Sequence, residues 1–198
     1  MKINIIYMAA GNSSRFGSNK LLYQYNGKPL FRYGLDVLTN VAKTRNDCRV
    51  IVVTRYDEIE EYVRTLAEPA IKVCHSADSY LGASYTIRNA LKSIERAGDE
   101  LYYVFMVADE PNLTFDIIDG FLNGLLGSGK PAGSLVVQGQ NVNPMAFSSK
   151  LEPELLSLEN DEGGRFVFNR YRENCFGYEV DQKNVNDVDY LIDFTGLL

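Results

Sequence analysis

The chain has 198 residues, 45% of them hydrophobic, enough to bury a sizeable core as one domain spanning residues 1–198. Its formal net charge of −6 argues against general nucleic-acid binding, because affinity for a phosphate backbone comes from clustered Lys and Arg. No apolar stretch approaches ~18 residues and no signal-peptide pattern precedes Ile3, so a soluble, cytoplasmic protein without a membrane partner is expected.

Residues 3–8 form an apolar run broken only by Asn4, rich enough in β-branched and aromatic residues to be a buried first strand. The run empties into Ala9-Ala10-Gly11-Asn12-Ser13-Ser14-Arg15-Phe16-Gly17-Ser18-Asn19-Lys20. Small residues let backbone N–H groups approach an anion, and a loop at a strand's C-terminal end is where open α/β sheets bind ligands. Arg15 and Lys20 would complete a cradle for a triphosphate, the first as a fork and the second as a point charge. Two commoner phosphate loops are excluded. The P-loop needs Lys directly after its second Gly, and the dinucleotide fingerprint needs a third Gly. An ordinary surface turn with a solvated Arg and Lys is the competing reading.

Pro29 suits the first turn of a helix, and residues 29–41 carry apolar positions spaced for one lying on a sheet. Residues 50–54 read as a second buried strand. A polar-faced helix over 57–66 follows, with Asp57 as its N-cap. Residues 71–74 read as a third strand. Strands alternating with helices imply parallel βαβ units and a doubly wound α/β sheet with helices on both faces. Cys48, Cys74 and Cys175 are odd in number and far apart, which argues against a disulfide framework. His75 is the only histidine, which excludes a histidine-rich zinc site; it reads as a structural or partly exposed residue.

In residues 81–91, Ser84 or Thr86 either caps a helix running to Ala97 or lines a crevice at its start. Residues 101–108 are the most apolar run and should be the central strand. Asp109 follows it, placed to reach into a crevice and to hold Mg²⁺ together with substrate phosphates. Thr114 is the better cap for the next helix, over 115–125. A strand over 134–138 and a helix around 151–158 complete the pattern.

Several of these segments together resemble the MobA-like nucleoside-triphosphate transferases, especially the molybdenum cofactor cytidylyltransferases. The loop is similar to A-A-G-x-S-x-R-x-G-x-N-K-L-L, with Ala9, Ala10, Gly11, Ser13, Arg15, Gly17, Asn19, Lys20, Leu21 and Leu22 in place. Gly82, Ser84 and Thr86 resemble G-x-S-x-S-I, a base-facing segment, with Thr86 keeping a hydroxyl where serine is usual. Residues 108–113 resemble A-D-Q-P-x-L, with Glu110 in place of the glutamine. Asn143-Pro144-Met145-Ala146-Phe147 resembles N-P-V-x-F, and Asp161-Glu162-Gly163-Gly164-Arg165 matches G-D-x-G-G-R except for Asn160 in place of the first glycine. Residues 184–191 look like N-[IV]-[ND]-T-P-E-D-L without its T-P pair; Asp187 and Asp189 are offset from the metal-facing position and read as helix caps.

The resemblance implies a Rossmann-like nucleotidyltransferase fold with a mostly parallel, mixed sheet. Its nucleotide-binding part would cover about 1–112 and its acceptor-binding part about 113–198. It implies transfer of CMP from CTP to the terminal phosphate of molybdopterin, with loss of pyrophosphate and a molybdoenzyme as recipient of the product. Arg15, Lys20 and Asp109 would be catalytic, and Mg²⁺ would be held by Asp109 and Asn186. Ala9, Ala10, Gly11, Asn12, Ser13, Lys20, Gly82, Ser84 and Thr86 would bind the nucleotide. Asn143, Pro144, Asp161, Gly163, Gly164 and Arg165 would bind the acceptor. Relatives that use guanine carry glycine at the position of Ala10, which favours CTP over GTP here. The alternatives are a nucleotidyltransferase for a sugar or alcohol phosphate and a non-catalytic chaperone that carries the cofactor.

Overall fold

The computed structural model describes residues 2–12, 19–95 and 101–188. In chain order, β1 (Lys2–Ala9) is followed by the short β2 (Gln24–Tyr25) and β3 (Lys28–Pro29), then α1 (Phe31–Thr44), β4 (Cys48–Thr54), α2 (Asp57–Thr65) and β5 (Ile71–His75). Next come α3 (Ala83–Ser93), β6 (Leu101–Val107), α4 (Phe115–Ser128), β7 (Ala132–Val137), β8 (Gln140–Ser148), α5 (Glu152–Leu156), α6 (Gly164–Tyr171) and β9 (Cys175–Glu179).

Seven strands form one sheet in the order β5-β4-β1-β6-β8-β7-β9, so β6 is its centre as its apolar sequence predicts. The β5-β4-β1-β6 half is parallel throughout, whereas β8 runs antiparallel to both β6 and β7, and β9 is parallel to β7. The alternation of strand side chains divides the core into two layers. Ile3, Ile5 and Tyr7 of β1 pack with Leu35 and Leu38 of α1, Ile59 of α2 and Phe121 of α4. Ile6 packs on the other face with Ile87 of α3, Leu155 of α5 and Phe168 of α6. Helices therefore cover both faces, as a buried parallel sheet requires. No described helix is long and apolar enough to cross a membrane.

Local chemistry explains where the elements depart from the sequence pattern. Pro29 does not start a helix: it pairs with Gln24 in a hairpin whose turn is Asn26-Gly27. Both turn residues have positive φ (44° and 92°), the requirement of a type I′ turn, and α1 begins only at Phe31. Asp57 is the first residue of α2 rather than its cap, and no side chain caps that helix. Thr114 does cap α4, accepting a hydrogen bond from the N–H of Ile117. The continuation of α3 to Ala97 and a last helix around Asp189 lie outside the described residues.

Candidate functional site

The parallel strands β1 and β6 end on the same side of the sheet, and their C-terminal ends frame a crevice of about 220 Å³. Its floor comes from Met8, Ala10, Val107 and Ala108, and its polar groups from Asn12, Lys20, Ser79, Thr86, Asp109 and Asp161. The first loop is fixed by its neighbours: Thr54 donates to the carbonyl of Ala9 (2.9 Å), Tyr56 to that of Gly11 (2.7 Å), and Asn12 Nδ2 to that of Tyr80 (2.8 Å). A Cβ added at Gly11 would meet nothing within 4 Å among the described residues, and Gly11 lines the crevice. Ser13 and Arg15 lie outside the described residues.

Lys20 opens a single helical turn, Lys20–Leu22, capped by Asn19, whose side-chain oxygen accepts from the N–H of Leu21 (3.1 Å). The turn aims Lys20 across the crevice. Its Nζ lies 2.7 Å from Asp109 Oδ2, with only 13% and 22% of the two side chains exposed. The other oxygen, Asp109 Oδ1, is buried with no hydrogen-bond partner among the described residues. A buried, unpaired carboxylate oxygen beside a cation is an acceptor or a metal ligand awaiting a partner in the crevice.

Glu110 is 3% exposed, and its Oε2 is likewise buried without a partner among the described residues. Burial pushes its carboxyl up to about 9, the charges of Asp187 and Asp109 push the same way, and a hydrogen bond with the Asn143 side chain opposes them. The segment carrying Asp187 is pinned here, because the N–H of Val188 donates to the carbonyl of Asp109 (3.0 Å). Asn186, expected to face the metal, is exposed and accepts instead from Gln182 Nε2 (3.2 Å). Asp187 is the acid that the sequence reading assigned to a cap and that faces Glu110. Its offset from the family pattern concealed it.

The loop before α3 is built differently from either sequence reading. Gly82 has φ +144°, and a Cβ there would lie 2.2 Å from the carbonyl oxygen of Asn160, so backbone meets backbone. Ser84 neither caps α3 nor lines the crevice. It is fully buried, and its Oγ (2.8 Å) and N–H (3.2 Å) both donate to the carbonyl of Asn160. Thr86 does border the crevice, but its hydroxyl donates to Ser79 Oγ (2.8 Å), which donates to Ser76 Oγ (2.6 Å). These hydroxyls hold the loop's shape. Asn160 takes the left-handed conformation (φ 50°) that its amide side chain tolerates.

Of the residues expected on the acceptor side, Asp161 lines the same crevice as Lys20 and Gly11. Gly163 is the N-cap of α6 and Gly164 its first residue; Arg165 is exposed and donates to the carbonyl of Asn141 (3.1 Å). Asn143 and Pro144 are in β8, where the Asn143 side chain reaches Glu110. The crevice thus combines a cation, the buried unpaired carboxylate oxygen of Asp109 and open backbone, with Glu110 buried beside it, a set suited to a phosphorylated ligand with a hard divalent ion.

Among proteins of known sequence, this chain is 35% identical over 57 residues to a probable molybdenum cofactor guanylyltransferase of Thermococcus sibiricus, a match covering 29% of this chain and 28% of that one. The match thus spans under a third of that relative's length. It is 25% identical over 166 residues to the purine catabolism protein PucB of Bacillus subtilis, covering 81% of this chain and 77% of that one. Among solved structures it superimposes on Rv0371c of Mycobacterium tuberculosis with a TM-score of 0.76 at 21% identity, covering 100% and 98% of the two chains. Another structure of Rv0371c is a complex with manganese. Residues 5–175 match the MobA-like NTP transferase domain. With that match over most of its length and the crevice where such a sheet binds nucleotides, the chain belongs to the MobA-like NTP transferase family and is a nucleotidyltransferase.

Proposed function

We propose that the protein transfers a CMP group from CTP to the terminal phosphate of a molybdopterin-type acceptor. The observation that carries the reading is the Lys20–Asp109 pair facing across the crevice, with Asp109 Oδ1 buried and unpaired beside it. The nucleotide would lie along Ala10, Gly11 and Asn12, with its phosphates at Lys20 and its base toward Gly82 and Thr86. The acceptor would enter from the side of Asn143, Pro144, Gly163, Gly164 and Arg165.

An oxygen of the acceptor phosphate attacks the α-phosphorus in line. The bond from that phosphorus to the bridging oxygen breaks, and pyrophosphate leaves with the electron pair. A phosphate nucleophile is anionic at neutral pH and needs no strong base, so the residues' work is positioning and charge stabilisation. Lys20 stabilises charge that develops on the phosphates, and Arg15 is assigned the same task. Asp109, with Glu110 and Asp187 beside it, would hold Mg²⁺, an oxygen-ligand ion that Asp109 Oδ1 and Glu110 Oε2, buried without partners among the described residues, fit. When bound, that ion neutralises phosphate charge and orients the triphosphate.

The test is pyrophosphate release from purified protein with Mg²⁺, a pterin phosphate acceptor and each of the four ribonucleoside triphosphates in turn. CTP should support the fastest release. Faster release with GTP would replace the base assignment, and release with a sugar or alcohol phosphate alone would replace the acceptor. No release with any pair would leave the cofactor-carrier reading.

A further inference from the structure

Away from the crevice, α2 and β5 bring together Asp57, Glu60 and His75. One ligand atom of each, two carboxylate oxygens and an imidazole nitrogen, all lie within 4.8 Å of one another. We propose that these three side chains form a divalent transition-metal site of the zinc class, separate from the nucleotide crevice.

Asp57 and Glu60 are three apart on the first turn of α2, so they share a helix face, and His75 ends the neighbouring strand. Glu60 is the anchor. Its side chain is only 8% exposed; one oxygen meets His75 Nδ1 and the other accepts from Arg64 (2.7 Å). An outer partner that fixes a carboxylate's orientation is the usual support of a metal ligand. Asp57 has no hydrogen bond or ion pair among the described residues, and His75 is half exposed, so both are able to swing onto an ion bonded at about 2.0–2.2 Å.

The donor set selects the ion. One imidazole with two carboxylates suits Zn²⁺ and its neighbours, whereas Mg²⁺ takes oxygen ligands. Three protein ligands leave a position for water, and a second, independent feature provides access. A groove of about 460 Å³ opens on Glu60 and His75, walled by Arg64, Glu68, Val63 and Ile71.

The site would staple two walls of the nucleotide crevice. Tyr56, just before α2, holds the carbonyl of Gly11, and Ser76, just after β5, begins the hydroxyl chain to Thr86. An ion here would raise the melting temperature without touching the reacting groups.

The experiment is calorimetric titration of tag-free, metal-stripped full-length protein with zinc chloride, in excess Mg²⁺ to occupy oxygen-only sites. One equivalent should bind saturably and raise the melting temperature. His75→Ala and Asp57→Asn should each weaken binding roughly tenfold or more. Asp57→Asn keeps the test valid if His75→Ala fails to fold. Asp109→Ala should leave zinc binding intact, so the outcome is independent of the nucleotide chemistry. Absence of saturable binding, or equal binding in wild type, His75→Ala and Asp57→Asn, overturns the site; the latter result would assign the ion to the cysteines or the crevice.

Discussion

The two halves of the sheet do different work. In the parallel half, β6 delivers Asp109 two residues beyond its end, and a separate helical turn capped by Asn19, eleven residues beyond β1, brings Lys20 to it. In the mixed half, β8, β7 and β9 contribute through what hangs from them: Asn143 in β8, and Asn160 and Asp161 in the loop before α6. The parallel half brings the Lys20–Asp109 ion pair together from a strand end and a capped turn, and the mixed half fixes shape by long-range hydrogen bonds. Substitutions in the first should cost rate, and those in the second should cost stability and fit.

The largest effect is expected from Asp109→Ala, which should abolish metal-dependent turnover while the melting temperature holds. Pyrophosphate release and calorimetry read the two sides; retained turnover with lost stability would reverse the comparison. Lys20→Ala should cost roughly 10²–10³ in turnover, the usual loss for one preorganised charge-stabilising donor. Ground-state nucleotide affinity should fall less, because the charge it meets develops during transfer.

Two glycines sharpen the contrast. Gly82→Ala places a methyl against the carbonyl of Asn160 at an unfavourable φ, so it should cost roughly 1–3 kcal/mol of stability in thermal unfolding. Gly11→Ala meets nothing, so its stability should be unchanged while nucleotide binding weakens. Ala10→Gly should relax the preference for CTP over GTP by roughly tenfold to two-hundredfold, the scale of ~1–3 kcal/mol for a methyl-sized change. Titration with both nucleotides reads it directly.

A further prediction concerns pH. Burial first, then the charges of Asp187 and Asp109, raise the Glu110 carboxyl from its ordinary 4.5 to about 9. Between those values the folded state keeps a proton that the unfolded state has lost, so stability falls as pH rises from about 4.5 to about 9. Glu110→Gln should remove that slope: melting temperatures of the metal-free proteins should agree near pH 5 and favour the variant near pH 8.

The parallel half was the more legible in the sequence. Its strands are continuous apolar runs; Asp109 follows β6 at once, and Lys20 closes the loop after β1, where pattern and motif carry the information. Ser84 was misread because its partner, the carbonyl of Asn160, is 76 residues away, and no local pattern encodes such a contact. That Asp187 faces Glu110 while Asn186 bonds Gln182 is non-local in the same way, since a register set by the Val188–Asp109 backbone bond is tertiary. The misplaced start of α1 had a local signal after all: Asn26-Gly27 is a strong hairpin dipeptide, and it outweighs the helix-starting tendency of Pro29.

One carbonyl accepting two bonds from Ser84 has a thermodynamic consequence. The peptide of Asn160 joins the segment before Asp161 to the segment after Gly82, so neither moves without breaking bonds to the other. Ligands seated on the two segments are then linked variables. If occupancy on one side tightens the other by some factor, the second must tighten the first by the same factor. Ser84→Ala, which leaves the backbone bond and removes the hydroxyl one, should shrink that factor equally in both directions.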